Sequence, residues 1–221
     1  SMRLAIDDGL RRDDPTLGIK SIRRRSDGFH TWTKEEIAAF ESFHPLDSRA
    51  RLAMALLLYT GQRRSDVVTM GRQHVEAGRI KVRQRKTGAF LAIKIHPQLQ
   101  AVLDAHARDR VMFLMTSFNK PFTPAGFGNW FRECCDDAGL AKACSAHGLR
   151  KAAARRLAEA GCTAPQIAAV TGHKSLQEVQ RYIEAAAQVT MADDAIAKVT
   201  RPEKEQKLSN LADRLDKSGA K

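Results

Sequence analysis

His147 and Arg150 lie three residues apart in the stretch SAHGLR, where Ser145 is the predicted cap of a helix. Side chains at this spacing share one face of a helix. Both residues fall in the first turn, where free backbone N–H groups and the helix dipole attract anions. The pair therefore predicts a phosphate-binding position, although a histidine that fills space beside an exposed arginine fits the same spacing.

Arg63 follows the predicted helix stop at Gly61 and precedes Asp66. A tight glycine turn leaves little backbone freedom, and an arginine held there suits a bidentate grip on phosphate. Asp66 would brace this arginine or cap the next helix. Alternatively, Arg63 and Arg64 are two surface charges.

Lys86 lies at the turn of a predicted β-hairpin whose first strand is already basic. A lysine in such a turn is commonly exposed and inert. A hairpin can also deliver its ammonium group to the leaving oxygen of a bound substrate, which is the role of a general acid.

Tyr182 is one of two tyrosines in the chain, the other being Tyr59. It follows His173, which lies in a turn after Gly172 and could donate a hydrogen bond to phosphate. On a helical wheel Tyr182 lies about 80° from the centre of an apolar stripe. That stripe consists of Leu176, Val179, Ile183 and Ala186. A marginal position fits a packing residue and a nucleophile equally well.

The balance of charge favours a polyanionic partner. Among 221 residues, 37 are Lys or Arg and 25 are Asp or Glu, which gives a formal net charge of +12. Such an excess indicates nucleic acid, although a solvated basic surface is also consistent with it. The longest apolar run, Ala53–Tyr59, is too short to cross a bilayer. With no signal peptide at its start, the chain is expected to be cytoplasmic.

The four cysteines do not have the pattern of a disulfide framework in a chain of this length. Cys134, Cys144 and His147 lack the spacing of a zinc finger or zinc ribbon. We therefore expect reduced, structural cysteines and no metal site.

Caps and glycine stops predict a mainly α protein with a small antiparallel sheet. The hairpin covers Arg79–Ile95. The predicted helices run from Thr33 to about Phe43, up to Gly61, from Arg63 for a short distance, from Pro97 to about Arg108, from Thr123 to Gly139, from Ser145 to Gly161, up to Gly172, from Ser175 through Tyr182, and from Thr190 as a last weak helix.

Four motifs, in order, resemble those of the tyrosine recombinase (phage integrase) family. They are TGQRRSDVV at Thr60–Val68, RKTGAFLAI at Arg85–Ile93, HGLR at His147–Arg150 and TGHKSLQEVQRY at Thr171–Tyr182. The resemblance covers roughly residues 30–190. Gln62, Gly148 and Thr171 differ from the residues usual in the family, and none of them occupies a catalytic position.

The resemblance implies the fold of a DNA breaking-rejoining catalytic domain and a site-specific recombinase activity. The implied active site consists of Arg63, Lys86, His147, Arg150, His173 and the nucleophile Tyr182, with Asp66 in support. It also implies a 3′-phosphotyrosine intermediate formed without a metal ion or other cofactor. The implied partners are double-stranded attachment sites, further copies of the chain in a synaptic tetramer and an accessory directionality factor, with no membrane.

The same resemblance implies three segments. Residues 1–29 are expected to be an interdomain linker or arm, and residues 30–190 the catalytic domain. The N-terminal DNA-clamping domain usual in the family is expected to be absent. Residues 191–221 are expected to be a tail, either disordered or docked on a neighbouring subunit through Leu208, Leu211 and Leu215.

Three other functions remain open. A type IB topoisomerase uses similar tyrosine chemistry, and a catalytically idle DNA-binding protein could keep the same fold. A metal-dependent nuclease fits less well, because the pairs Asp136–Asp137 and Asp193–Asp194 lack supporting ligands nearby in the sequence.

Overall fold

Helices make up most of the part of the chain that the structure describes, and one small sheet lies among them. The computed structural model describes residues 2–10, 12–14, 28–106 and 111–199. Its elements are α1 (Met2–Asp7), α2 (Lys34–Phe43), α3 (Arg49–Thr60), α4 (Arg64–Val67), a 3₁₀ turn (Arg72–His74), β1 (Val75–Glu76), β2 (Arg79–Arg83), β3 (Phe90–Lys94), α5 (Pro97–Asp104), α6 (Pro124–Asp137), α7 (Ala146–Glu159), α8 (Ala164–Thr171) and α9 (Leu176–Val199). This architecture confirms the predicted mainly α fold with a small antiparallel sheet.

Local signals in the sequence determine several helix ends. Thr33 caps α2, and its side chain and that of Glu36 exchange hydrogen bonds with each other's backbone N–H, as a capping box requires. Thr123 caps α6, and Pro124 occupies its first turn. Gly61 ends α3 with a φ of 62°, in the left-handed region that favours glycine.

The sheet has three antiparallel strands in the order β1-β2-β3. The predicted hairpin is confirmed as β2 and β3, and Ile80 of β2 pairs with Ile93 of β3 on the buried face. The two-residue strand β1 extends this hairpin at one edge and was not predicted. The β2–β3 turn is therefore held by a sheet, and it carries Lys86 at its exposed tip.

Helix α3 lies at the centre of the main core. Most of its residues are buried, and it packs against α5, α6 and α7. A cluster of aromatic rings, Trp32, Phe40, Phe127 and Phe131, fills the core beside it. A second, smaller core joins α7, α8 and α9. Because α7 belongs to both cores, the residues at its start hold a fixed position relative to α3 and to α9.

The structure corrects several predicted boundaries. No helix begins at Thr190, because α9 runs without a break from Leu176 to Val199. Leu176 is half exposed and lies outside the buried stripe, whereas Val179 is fully buried. Helix α5 ends at Asp104, before the expected end near Arg108.

The two ends of the chain were expected to be a linker or arm and a tail. The short helix α1 lies in the segment expected to be a linker, and it was not predicted. The leucines expected to form a docking stripe, Leu208, Leu211 and Leu215, lie outside the described residues. Among the helices described, none has the length and apolar character needed to cross a bilayer.

Candidate active site

One cavity brings all six residues of the predicted active site together. It has a volume of about 670 Å³ and lies where the turn after α3, the β2–β3 turn, the start of α7 and the start of α9 meet. Its lining includes Arg63, Lys86, His147, Arg150, His173 and Tyr182. We call it the tyrosine cavity.

Arg150 is the buried cation of this cavity, with only 3% of its surface exposed. Its Nη1 donates to the backbone oxygens of Gly61, at 2.5 Å, and Thr171, at 2.7 Å. Its Nη2 is buried and has no hydrogen-bond partner among the described residues. Burial, followed by the charge of Arg63, lowers the pKa of Arg150 to about 10, so the guanidinium stays positive at neutral pH. The arrangement fixes one edge of the guanidinium and leaves a donor for an anion.

Arg63 precedes α4 and is half-buried. Its Nη1 donates to the side-chain oxygen of Gln84 at 3.2 Å. Asp66 was expected to brace Arg63 or to cap the helix. The structure gives it another partner, since Asp66 Oδ1 accepts from the backbone N–H of Arg85 at 2.9 Å. Asp66 therefore anchors the residue before Lys86.

Gln84 connects three parts of the cavity wall and was not identified from the sequence. Its side chain is fully buried, and its oxygen accepts from Arg63 and from Thr87 Oγ1. Its Nε2 donates to the side-chain oxygen of Gln62 and to the backbone oxygen of Thr171. All the hydrogen-bonding capacity of this amide is therefore used to hold Arg63, the hairpin turn and the loop before His173 in place.

His173 follows Gly172, whose φ of 69° ends α8 in the left-handed region. Thr171 Oγ1 donates to the backbone oxygen of Ile167, so it accepts from His173 Nδ1 at 2.7 Å. Burial, followed by the charges of Arg150 and Arg63, lowers the pKa of His173 to about 4. At neutral pH the ring is therefore neutral with its proton on Nδ1, and Nε2 carries the lone pair.

His147 lies in the first turn of α7. Much of the residue is exposed, but its ring lies against that of Phe29, with 4.4 Å between the ring centroids. Burial lowers the pKa of His147, and the positive charges of Arg150 and Lys151 lower it further. A neutral imidazole at this position is able to accept a proton.

Tyr182 is half-buried at the edge of the smaller core, against which it packs as Ile183 and Ala186 do. Burial raises the pKa of Tyr182; the charge of Arg150 opposes this rise, and that of Glu178 adds to it. The phenol is therefore protonated at neutral pH, and it must lose its proton to act as a nucleophile.

Tyr59 has a different environment. Its ring stacks on His96, with 4.6 Å between the centroids, and its hydroxyl donates to Gln98. It does not line the tyrosine cavity. Of the two tyrosines, only Tyr182 lines the cavity together with Arg63, Arg150, His147 and His173.

Lys86 is exposed and lines the tyrosine cavity, unlike the other two lysines of the hairpin. Lys81 pairs with Glu76, and Lys94 lies at the opposite end of β3. The structure thus distinguishes Lys86 from its two neighbours, which the sequence did not.

The model of the phage integrase family matches residues 33–189, which is more than half of the chain. The chain belongs to this family. Its motifs are those of the tyrosine recombinases, as the sequence predicted.

The relatives of this phage integrase domain include the integrase of Escherichia phage HK022. The two are 25% identical over 149 residues, which are 62% of this chain and 41% of the relative. The chain thus spans less than half the length of that relative.

Two structures of lambda integrase share the fold. One is a dimer of residues 75–356 bound to a COC′ core site, with 21% identity, a TM-score of 0.66 and coverage of 82% of this chain and 68% of that one. The other is a tetramer bound to a Holliday junction, with 23% identity, a TM-score of 0.61 and coverage of 79% and 55%.

One group of possible metal ligands occurs among the described residues of this integrase domain, and it is not the one considered from the sequence. His30, Glu36 and Cys144 have ligand atoms within 4.8 Å of one another. His30 Nε2 hydrogen-bonds both carboxylate oxygens of Glu36, at 2.9 and 2.7 Å. Burial, and a hydrogen bond with Glu36, raise the pKa of the Cys144 thiol to about 12. Glu36 therefore serves as the hydrogen-bond partner of both His30 and Cys144.

The cysteines are unpaired. Cys134, Cys135 and Cys144 are buried, and Cys162 is half-buried. Burial raises the pKa of Cys134 to about 11 and that of Cys135 to about 12. These protonated thiols act as core residues, in agreement with the sequence-based prediction.

Proposed function

We propose that this chain is the catalytic part of a site-specific DNA recombinase, with residues 30–190 as the catalytic domain. Tyr182 attacks a scissile phosphate, the phosphorus–oxygen bond to the 5′-oxygen breaks, and a 3′-phosphotyrosine link forms. The observation that carries the proposal is the single cavity that holds a tyrosine, two arginines, two histidines and a lysine.

Each side chain has a role that its surroundings support. Arg63 and Arg150 bind the non-bridging oxygens and stabilise the charge that develops in the transition state. His147, neutral at pH 7, accepts the proton of the Tyr182 hydroxyl. Lys86, on its turn, gives a proton to the departing 5′-oxygen.

His173 is an acceptor at Nε2 while the cavity is empty. A bound phosphate anion favours the imidazolium, whose Nε2–H then donates to a phosphate oxygen. His173 is thus a donor that the substrate itself switches on. This differs from a histidine that is already charged before DNA arrives.

The covalent link conserves the energy of the phosphodiester bond, so rejoining to a 5′-hydroxyl reverses the same step. In this mechanism the positive charge comes from side chains, and we expect cleavage to proceed in EDTA. The partner is double-stranded DNA, in keeping with the net charge of +12. The core-site dimer and the junction tetramer of lambda integrase support self-association of this chain on DNA. An accessory directionality factor and action in the cytoplasm are parts of the same proposal.

Covalent trapping tests this function. The protein is mixed in EDTA with a pool of nicked duplexes that lose a short 5′-hydroxyl fragment on cleavage, and adducts that resist SDS are mapped. We expect an adduct at Tyr182 that is absent in Tyr182→Phe and retained in the matched control Tyr59→Phe. An adduct at Tyr59, or a strict need for magnesium, would overturn the proposal.

The two alternatives give different results. A type IB topoisomerase would relax any supercoiled plasmid without preference for a site. A catalytically idle DNA-binding protein would keep its full biological activity after the substitution Tyr182→Phe. Neither outcome is expected from a recombinase.

A further inference from the structure

A second cavity lies directly beside the tyrosine cavity. It has a volume of about 600 Å³, and Phe29, Arg63, His147 and Arg150 line both cavities. Its other wall includes Arg64 and Ser65 of α4 and Asn129 and Arg132 of α6. We call it the α6 pocket. A ligand there would be an immediate neighbour of a phosphate bound near Tyr182.

The charge of the α6 pocket is positive on every side. Four arginines line it, and no aspartate or glutamate does, whereas Glu178 lines the tyrosine cavity. Arginines brought together without carboxylates repel one another, and an anion bound between them relieves this repulsion. Such a lining selects an anionic ligand.

Arg132 adds an independent sign of a missing partner. Its Nη1 is buried, and it has no hydrogen-bond partner among the described residues. A buried donor of this kind is costly to leave unpaired. Because Arg132 lines the pocket, its positive charge lies at the wall, where an anion would balance it.

Gly128 gives Arg64 its place in the pocket. A Cβ atom at residue 128 would lie 2.5 Å from Arg64 Nη1. The guanidinium can therefore lie against the backbone of α6 only because this residue lacks a side chain. The sequence thus leaves room in the helix for a cation from α4.

We infer that the α6 pocket binds a DNA backbone phosphate adjacent to the scissile one, and this inference rests on the proposed function. Planar guanidinium groups bind phosphate oxygens in pairs, and Ser65 and Asn129 supply neutral hydrogen-bond donors of the kind that contact DNA backbones. The shared wall of Arg63, His147 and Arg150 places two neighbouring phosphates of one duplex on the two sides of the histidine. The pocket would thereby set the register of the scissile phosphate against Tyr182.

The test measures how binding to a random-sequence duplex depends on salt. Fluorescence anisotropy gives the affinity of the full chain between about 50 and 200 mM salt. The steepness with which the logarithm of the affinity falls with the logarithm of the salt concentration is the slope, and it reports the number of phosphates neutralised, at about 0.9 for each. We expect Arg64→Ala and Arg132→Ala each to lower the slope by about 1. The control Lys120→Ala also removes one positive charge. Lys120 lines a separate cavity with Gly126 and Trp130, on another face of α6, so this variant should leave the slope unchanged.

Gly128→Ala provides a variant that keeps every charge. Alanine favours a helix, so α6 should fold, and circular dichroism and the unfolding midpoint check this. The new methyl group displaces only the flexible end of Arg64. We expect the slope of Gly128→Ala to fall in the same direction as that of Arg64→Ala.

The outcomes separate this inference from the proposed function, since the slope is measured whether or not a covalent adduct forms. Equal slopes for the wild type, Arg64→Ala, Arg132→Ala and Gly128→Ala would overturn the inference. An equal loss in Lys120→Ala would also overturn it, because the effect would then be one of total charge. A final arm uses inorganic phosphate, detected by NMR of the arginine side chains. If Arg64→Ala abolishes phosphate binding but leaves the salt slope of duplex binding unchanged, the pocket is a site for free phosphate. That result would overturn the DNA assignment.

Discussion

Gln62 and Gln84 form a buried pair in which the Gln84 Nε2 lies 2.6 Å from the side-chain oxygen of Gln62. Gln62 in turn donates to the backbone oxygens of Thr60 and Val170. The pair therefore ties the turn before Arg63 to the end of α8 and to the hairpin. Gln62, which departs from the apolar residue usual in the family, has a partner that accounts for its polarity.

We expect Gln84→Leu to slow DNA cleavage more than it weakens DNA binding. The change frees Arg63 and the hairpin turn from their common partner, and displacement of catalytic groups by about 1 Å can cost on the order of 100-fold in rate. It also leaves buried partners unpaired, at a cost of about 1–3 kcal/mol in the free energy of unfolding. Single-turnover cleavage of the trapping duplex, with affinity measured separately, checks this expectation.

The double variant Gln62→Leu, Gln84→Leu separates positioning from stability. The second change removes the Gln62 oxygen that Gln84→Leu leaves unpaired, and this part of the stability should return, although the backbone oxygens of Thr60 and Val170 lose their donor. The cleavage rate should stay low, because Arg63 still lacks the acceptor that orients it. A rate that recovers along with stability would show that the pair serves the fold alone.

Gly172→Ala should lower both stability and cleavage. Residue 172 has a φ of 69°, and a Cβ there would overlap the side-chain amide of Gln84. The left-handed conformation itself costs a non-glycine residue roughly 1–2 kcal/mol. The overlap adds to this cost and displaces His173 from Thr171. Urea unfolding and single-turnover cleavage measure the two effects.

Gly139→Ala is the matched control for that variant. Gly139 has nearly the same φ, 68°, and a Cβ there would meet nothing within 4 Å. It should show the cost of the left-handed conformation with no loss of cleavage. Equal effects of the two substitutions would contradict the role given to Gly172.

His173 should titrate near pH 4 in the free protein and at a higher pH when DNA is bound. Burial and two arginines keep the free ring neutral, whereas a phosphate favours the imidazolium. NMR of the ring nitrogens in Tyr182→Phe, which binds without cleaving, compares the two states. A proton on Nε2 in the free protein, or a midpoint that DNA does not move, would contradict the proposed switch.

The same pKa makes stability depend on pH. The ordinary pKa of histidine is 6.5, and that of folded His173 is about 4. Between these values the unfolded chain binds more protons than the folded protein does. The free energy of unfolding therefore rises with pH across this window and decreases as pH falls. His173→Gln should flatten this part of the profile, as measured by urea unfolding from pH 4 to pH 7. An unchanged slope would contradict the low pKa.

The sequence predicted those features whose causes lie within a few residues. Thr33 with Glu36 and Thr123 with Pro124 mark helix starts by contacts inside one turn, and Gly61 marks a stop by its own φ. The spacing of Thr190 and Asp193 resembles a helix start, but the same spacing occurs inside a helix. It was misread because α9 continues on both sides of it.

Features that depend on distant partners could be predicted only in part. Ile80 and Val82 are buried on alternate positions of β2, and this period of two indicates that Gln84 also points inward. Its partner Thr171 lies 87 residues further along the chain, and no local pattern specifies that contact. For the same reason the partner of Asp66 was not identified.

Phe29→Ala should move the acid limb of the cleavage profile to higher pH. The Phe29 ring covers that of His147, and Lys151 Nζ fixes the segment by donating to the Phe29 backbone oxygen at 2.5 Å. Removing the ring admits water to His147, so its lowered pKa should rise towards its ordinary value. The proposed base would then be protonated at a higher pH, and cleavage near pH 6 should fall further than cleavage at pH 8.

Phe118→Ala is the control for loss of an aromatic ring. Phe118 is 83% exposed and lines a different cavity, so its removal should leave the profile unchanged. Phe29 is itself 58% exposed, and its loss should cost little stability. A shift in Phe29→Ala alone would mean that the Phe29 ring sets the proton affinity of His147, the proposed base. An acid limb that stays in place would mean that the charges of Arg150 and Lys151 suffice to hold the pKa of His147 down.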